Sequence, residues 1–208
     1  MSNINSLEQR WQQLFSKGYN TSIVQQHFDK ITTYYNEAHR YYHTLKHIEA
    51  CLKHFDEVSE QIDEPESFEL ALWYHDVIYS TRRKDNEKQS ANLAEQCLQQ
   101  INYPSNQIAT VKRLINITAH PSPVHSEDEK LMVDIDLSIL GAPTDIFMNY
   151  ERNVRSEFRW VPNLIYKIER KKVLESFIKE ENIYKTNYFK DKLEKNARSN
   201  IQKLIKSL

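Results

Sequence analysis

A chain of 208 residues with two cysteines fits one ordinary domain and needs no disulfide framework to hold its core. No stretch is apolar for the length of a membrane span, which excludes a membrane-embedded helix as the expected architecture. The net charge of −1 conceals a division: residues 151–208 carry 15 Lys or Arg against 8 Asp or Glu, leaving +7 there and −8 on residues 1–150. An acidic first part suits a divalent cation and a basic second part an anionic substrate or partner, unless both are only solvated helix faces.

Two glycines, six prolines and apolar residues at three- and four-residue intervals predict an all-α chain. A first helix is expected from an N-cap at Ser6 through Leu7, Trp11, Leu14 and Phe15 to Gly18, and a second through Ile23, Val24, Phe28 and Ile31. A third, from about Tyr42 to Phe55, aligns Leu45, Ile48, Leu52 and Phe55 and carries His43. Pro65 opens a fourth with Phe68, Leu70, Leu72, Trp73 and Ile78, apolar on nearly all sides and therefore central. Further helices start near Asn86 and at Ser105, the latter broken at Pro121. Ser126 and Glu129 form a capping box ahead of Leu131, Met132, Ile135 and Ile139, closed by Gly141 and Pro143. About three helices fill the remainder. One domain is expected, with a core over about 39–141 and a helical extension over about 143–208. Cys51 and Cys97, both on amphipathic segments, fit a reducing compartment. The polar first ten residues lack a signal-peptide pattern, so a cytoplasmic location is expected.

The chemistry concentrates on His75-Asp76, set in Ala71-Leu72-Trp73-Tyr74-His75-Asp76-Val77-Ile78-Tyr79. A lone His-Asp pair is a weak motif. A carboxylate in apolar surroundings, however, needs a cation, an arginine or strong donors, and a metal ion would satisfy both residues together. Adjacent helical residues point about 100° apart, so other helices must supply further ligands. His43 is the candidate on the third helix, where His39, His43 and His47 follow four-residue spacing. Taken singly, each of these is more often a surface or structural histidine. Asp134 and Asp136 are candidates on the helix after the capping box; two positions apart, they face opposite sides, so one of them is expected to be a ligand.

In order and environment these residues resemble the HD superfamily of metal-dependent phosphohydrolases, whose signature is a His, a His-Asp doublet and a distant Asp from separate helices. His43, followed by Thr44, Leu45 and Lys46, resembles the first motif, and Asp136 in Asp134-Ile135-Asp136-Leu137 the last ligand, with Asp134 its competitor. The resemblance spans nearly the whole chain and is closest to a bacterial branch known only as predicted HD phosphohydrolases. Its landmarks are Asn86-Glu87 with Ser90-Ala91, Thr118 with His120, Val154-Arg155 with Glu157, and Ala197-Arg198 with Asn200.

The resemblance implies an HD-type helical bundle holding one divalent ion through His43, His75, Asp76 and Asp136. That mixed nitrogen and oxygen set suits Mn²⁺, Fe²⁺, Ni²⁺, Zn²⁺ or a weakly held Mg²⁺. The expected reaction is hydrolysis of a small phosphate ester such as a nucleotide by a metal-activated water, with Asp76 at the centre. Glu87 orients that water or acts as base, or else only complements a helix N-terminus. Lys46, Arg155 and Arg170 are cations for the phosphoryl oxygens, the arginines having a salt bridge to Glu157 or Glu169 as the alternative role. His120 is a phosphate contact, a second-metal ligand or a C-terminal helix histidine. His27, His54 and His125 read as surface residues. Tyr34, Tyr35, Tyr41 and Tyr42 line a ring pocket or pack the core. The expected partner is a small phosphorylated substrate rather than a membrane or nucleic acid, and an oligomer is compatible. Two other readings remain: a non-catalytic module binding through its basic half, and a di-iron oxygenase drawing extra ligands from His39, His47 or His120.

Overall fold

The computed structural model of the protein describes residues 4–15, 18–119 and 122–208. These form ten α-helices and two short 3-10 helices, with no strand among the described residues, so the chain is all-α as its composition predicts. It divides into two compact units, Met1–Val124 and His125–Leu208. The segment 125–141, grouped by sequence with the metal-binding core, thus belongs to the second unit.

The first unit contains α1 (Ile4–Leu14), α2 (Thr21–Tyr35), α3 (Leu45–Val58), α4 (Pro65–Tyr74), α5 (Asn86–Gln100) and α6 (Ser105–Ile117). Pro65 sits at the start of α4, where its missing N–H costs nothing. Helix α4 is buried all round, with Phe68, Leu70, Ala71, Leu72, Trp73 and Tyr74 essentially inaccessible, and packs on α3, α5 and α6. Trp11 of α1 meets Trp73 edge-on, with ring centroids 5.5 Å apart. Gly18 adopts φ +85°, the left-handed conformation that a helix-ending glycine supplies. Two boundaries differ from expectation. Helix α3 begins at Leu45 because Thr44 caps it, leaving His43 in the preceding bend. Helix α4 stops at Tyr74, so the His75-Asp76 doublet lies at its C-terminal end and not within it.

The second unit contains α7 (Glu127–Asp136), the 3-10 turn Leu137–Gly141, α8 (Thr144–Glu157), α9 (Asn163–Lys179) and α10 (Asn187–Ser207). The capping box is present: Ser126 Oγ accepts from Glu129 N, and the Glu129 carboxylate accepts from Ser126 N. The 3-10 turn lies against α8 and α10. A Cβ on Gly141 would stand 2.6 Å from Leu193 Cβ and 2.8 Å from Leu193 O, so this close approach requires glycine. Asn200 fastens the same turn, donating to Leu140 O at 3.0 Å and Ala142 O at 2.9 Å and accepting from Thr144 Oγ1 at 2.9 Å.

Candidate metal centre

A helix ending in the interior leaves carbonyls that need donors. At the end of α4, Tyr35 Oη donates to Trp73 O at 3.0 Å and His75 Nδ1 to Leu72 O at 2.9 Å. Arg40, with no exposed side-chain surface, donates to Asp76 O at 2.7 Å, Val77 O at 2.8 Å and His43 O at 3.2 Å while pairing with Glu37. Burial, reinforced by the Asp76 charge, pushes the Tyr35 phenol well above its ordinary range, so it remains a hydroxyl donor. Beyond the doublet, Ser90 Oγ accepts from Ile78 N, and Asn86 exchanges two hydrogen bonds with the Ser80 main chain, tying the segment to the first turns of α5. The doublet's backbone is therefore held from both sides.

The Leu72 carbonyl can only accept, so His75 Nδ1 carries a proton and Nε2 is the nitrogen turned to the cluster. His75 Nε2 stands 3.0 Å from His47 Nε2 and 3.2 Å from Asp76 Oδ2, and His47 Nε2 stands 3.5 Å from the same carboxylate oxygen. Two imidazoles and a carboxylate thus converge on one point. Right-angle ligands about 2.1 Å from an ion lie about 3.0 Å apart and tetrahedral ones about 3.4 Å apart, close to the 3.0, 3.2 and 3.5 Å among these three atoms. His75 and His47 are 1% and 4% exposed, while Asp76 reaches the edge of the cluster. His47, His75 and Asp76 form a buried His/Asp group that can hold a metal ion. His75 donating its second nitrogen to a backbone carbonyl is the usual support for such a ligand.

Cys51, buried and in no disulfide, also lies near His47 and His75. Its Sγ is 3.7 Å from both ring nitrogens of His47, an equidistance that sets it off the lone-pair direction of either.

On the third helix, His47 stands with the doublet. The His43 ring stacks on Tyr79 at 4.0 Å, with its centroid 6.0 Å from that of His47. Four-residue spacing offered both rings, but the Thr44 cap leaves only His47 on the helix. His39 is exposed and meets Tyr79 O at 2.9 Å. Of the acids on α7, Asp134 is saturated within its own unit, accepting from Lys185 N, Thr186 N and Thr186 Oγ1, all at 2.7 Å. Burial nevertheless pushes its carboxyl up to about 6 against those donors. Asp136, the last residue of α7, is half-buried.

Glu87 is half-buried in the first turn of α5, and Lys46 is exposed in the first turn of α3. Arg155 and Arg170 do not stand as open cations. Arg155 donates to Phe158 O at 2.6 Å and Val161 O at 3.0 Å and covers the Tyr166 ring, while Arg170 pairs with buried Glu151 and the Tyr150 hydroxyl. Both brace the second unit, through partners other than the expected Glu157 and Glu169. His120 lies outside the described residues. His27, expected at the surface, is buried against Gln100, with its Nε2 2.9 Å from the Gln100 Oε1. Tyr35 packs the core, whereas Tyr42 sits against His43 and His47. Arg40 escaped sequence reasoning altogether; a single basic residue between two helices carries no periodic signal.

Comparison with protein-family models, curated proteins and solved structures found no match to this chain. Fold and site define an all-helical protein with a buried His/Asp cluster able to hold a metal ion.

Proposed function

We propose that the chain is a metal-dependent phosphohydrolase of the HD type, acting on a small phosphate ester through one divalent ion. The observation that supports this reading best is the meeting of His75 Nε2 with His47 Nε2 and Asp76 Oδ2 at 3.0–3.5 Å, three atoms able to ligate one ion. In this reading the ligands that the first unit supplies are His47, His75 and Asp76. Asp134 is set aside, because its oxygens already bind the Lys185 and Thr186 donors. The donor set suits Mn²⁺, Fe²⁺, Ni²⁺ or Zn²⁺, or Mg²⁺ more weakly.

When bound, the ion supplies Lewis acidity toward a phosphoryl oxygen and acidifies a coordinated water. The chain's residues do the rest. Leu72 O holds the His75 Nδ1 proton and so turns Nε2 toward His47 and Asp76. Glu87, on the turn of α5 that Asn86 and Ser90 fasten beside the doublet, is the carboxylate assigned to take the proton of the attacking water. Lys46, one residue from His47 and exposed, is the cation assigned to the substrate's phosphate.

The test is metal analysis of the purified protein followed by a panel of phosphate esters, with Asp76→Ala as the control. Wild type should carry a divalent ion and release phosphate, and the variant should do neither. Phosphate release undiminished in Asp76→Ala overturns the mechanism. Two irons per chain with oxygen uptake transfers the site to oxygenase chemistry.

A further inference from the structure

The second unit presents an apolar corner that its own core does not use. Helix α9 buries Tyr166 and Leu174 on one side, yet on its outer side Leu164 is 72% exposed, Ile165 52% and Ile168 48%. Trp160, in the turn before the helix, is 49% exposed. The turn is held in this form: the Arg155 guanidinium grips Phe158 O and Val161 O on either side of Trp160 and lies over the Tyr166 ring. Four large apolar side chains are therefore about half exposed or more at a braced corner.

The charge around this corner indicates what covers it. Residues 152–172 carry seven Lys or Arg against two Glu, and of the seven Arg155 and Arg170 are taken up inside the unit. Of the two Glu, Glu157 is buried and Glu169 pairs with Lys172 at 2.7 Å. Arg152, Arg159 and Lys171 are exposed in the same stretch. A second copy brought against the same face would set this positive surface against itself. A tryptophan and aliphatic side chains at a helix start, ringed by cations, match a layer with an apolar interior and an anionic face. No helix among the described residues is long and apolar enough to cross a membrane, so the fit is to a surface and not to a span.

We infer that the α8–α9 corner, through Trp160, Leu164, Ile165 and Ile168 with their flanking cations, docks onto an anionic lipid surface. This inference does not depend on the proposed hydrolysis.

The experiment is co-sedimentation of the full chain with vesicles of phosphatidylcholine alone and of phosphatidylcholine mixed with phosphatidylglycerol, read also by tryptophan fluorescence. Trp11 and Trp73 are fully buried, so a change on binding reports Trp160. The partition coefficient should be at least about tenfold higher on anionic vesicles, fall with added salt, and be accompanied by a blue shift. Leu164→Glu and Ile168→Glu, at exposed positions, should each remove the binding while leaving the far-ultraviolet circular dichroism unchanged. Equal binding to both vesicles, no binding, or binding untouched by both variants overturns the proposal. So does sedimentation equilibrium showing a dimer that either variant dissociates, which would make the corner a self-association surface. Capture only by an acidic polypeptide, with no affinity for vesicles, overturns it as well.

Discussion

Arg40 offers the most direct test of how the doublet is held, because one buried side chain grips the backbone on both sides of the cluster. Arg40→Met keeps the volume and removes the donors to Asp76 O, Val77 O and His43 O as well as the partner of Glu37. A buried carbonyl without a donor costs roughly 1–3 kcal/mol. The His43 carbonyl, in a half-buried bend, can turn to water and contributes least. The two bonds to Asp76 and Val77 and the packing over the Tyr35 and Tyr79 rings then set a loss of about 3–5 kcal/mol, a large part of a typical folding free energy. Releasing those carbonyls also frees Asp76 to rotate, which should weaken divalent-metal affinity about tenfold to a hundredfold. Urea unfolding followed by tryptophan fluorescence reads the first effect, since Trp11 and Trp73 both pack in this unit. Competition for Zn²⁺ against a chromophoric chelator reads the second. Arg40→Lys should recover less than half of either loss, because an ammonium cannot span two carbonyls as the guanidinium fork does. Stability within about 1 kcal/mol of wild type together with unchanged metal affinity in Arg40→Met would refute the reasoning.

His47→Ala should abolish metal binding measured by equilibrium dialysis, whereas His43→Ala should retain most of it, since the His43 ring is stacked on Tyr79. Asp134→Ala should lower the thermal midpoint through a loss of about 3–5 kcal/mol while metal content persists. Gly141→Ala forces a methyl into Leu193 and should cost about 1–3 kcal/mol in urea unfolding, with metal content unchanged. Burial lowers the pKa of His27, whose Nδ1 has no partner among the described residues, so the unfolded chain binds a proton that the folded one resists. Its contribution to stability is complete above about pH 6.5 and is lost as pH falls from there toward the folded value; in His27→Phe the unfolding midpoint should depend less on pH over that range.

The helices were legible because their signals are local. Apolar spacing located α1 to α6, Pro65 fixed the start of α4, and Ser126 with Glu129 fixed that of α7. The end of α4 was not legible, because the apolar pattern continues through Val77 and Ile78 while the helix stops at Tyr74. What stops it is remote in sequence: Tyr35 and Arg40 capture the carbonyls that another turn of helix would have used. The same distance effect decided between the two histidines. Periodicity gave His39, His43 and His47 equal standing, and the choice fell to whether the chain is already helical at each, which the Thr44 cap determines.

Several residues that stood out as short patterns have a common physical role distinct from chemistry. Ser90 and Asn86 bind the main chain after the doublet, Arg155 the turn before α9, Arg198 the carbonyls at residues 178, 180 and 181, and Asn200 those at residues 140 and 142. Helices joined by irregular turns expose main-chain groups at every junction, and a polar side chain reaching in from another helix satisfies them without water. Such residues look like site residues in a sequence, being polar and set among apolar neighbours. What separates the cluster at His47, His75 and Asp76 is the kind of groups that meet. The clamps pair a side chain with main-chain groups, whereas here two imidazole nitrogens and a carboxylate oxygen, each of a type that ligates metal ions, lie within 3.0–3.5 Å of one another. A polar residue that braces a turn has no reason to gather such a set.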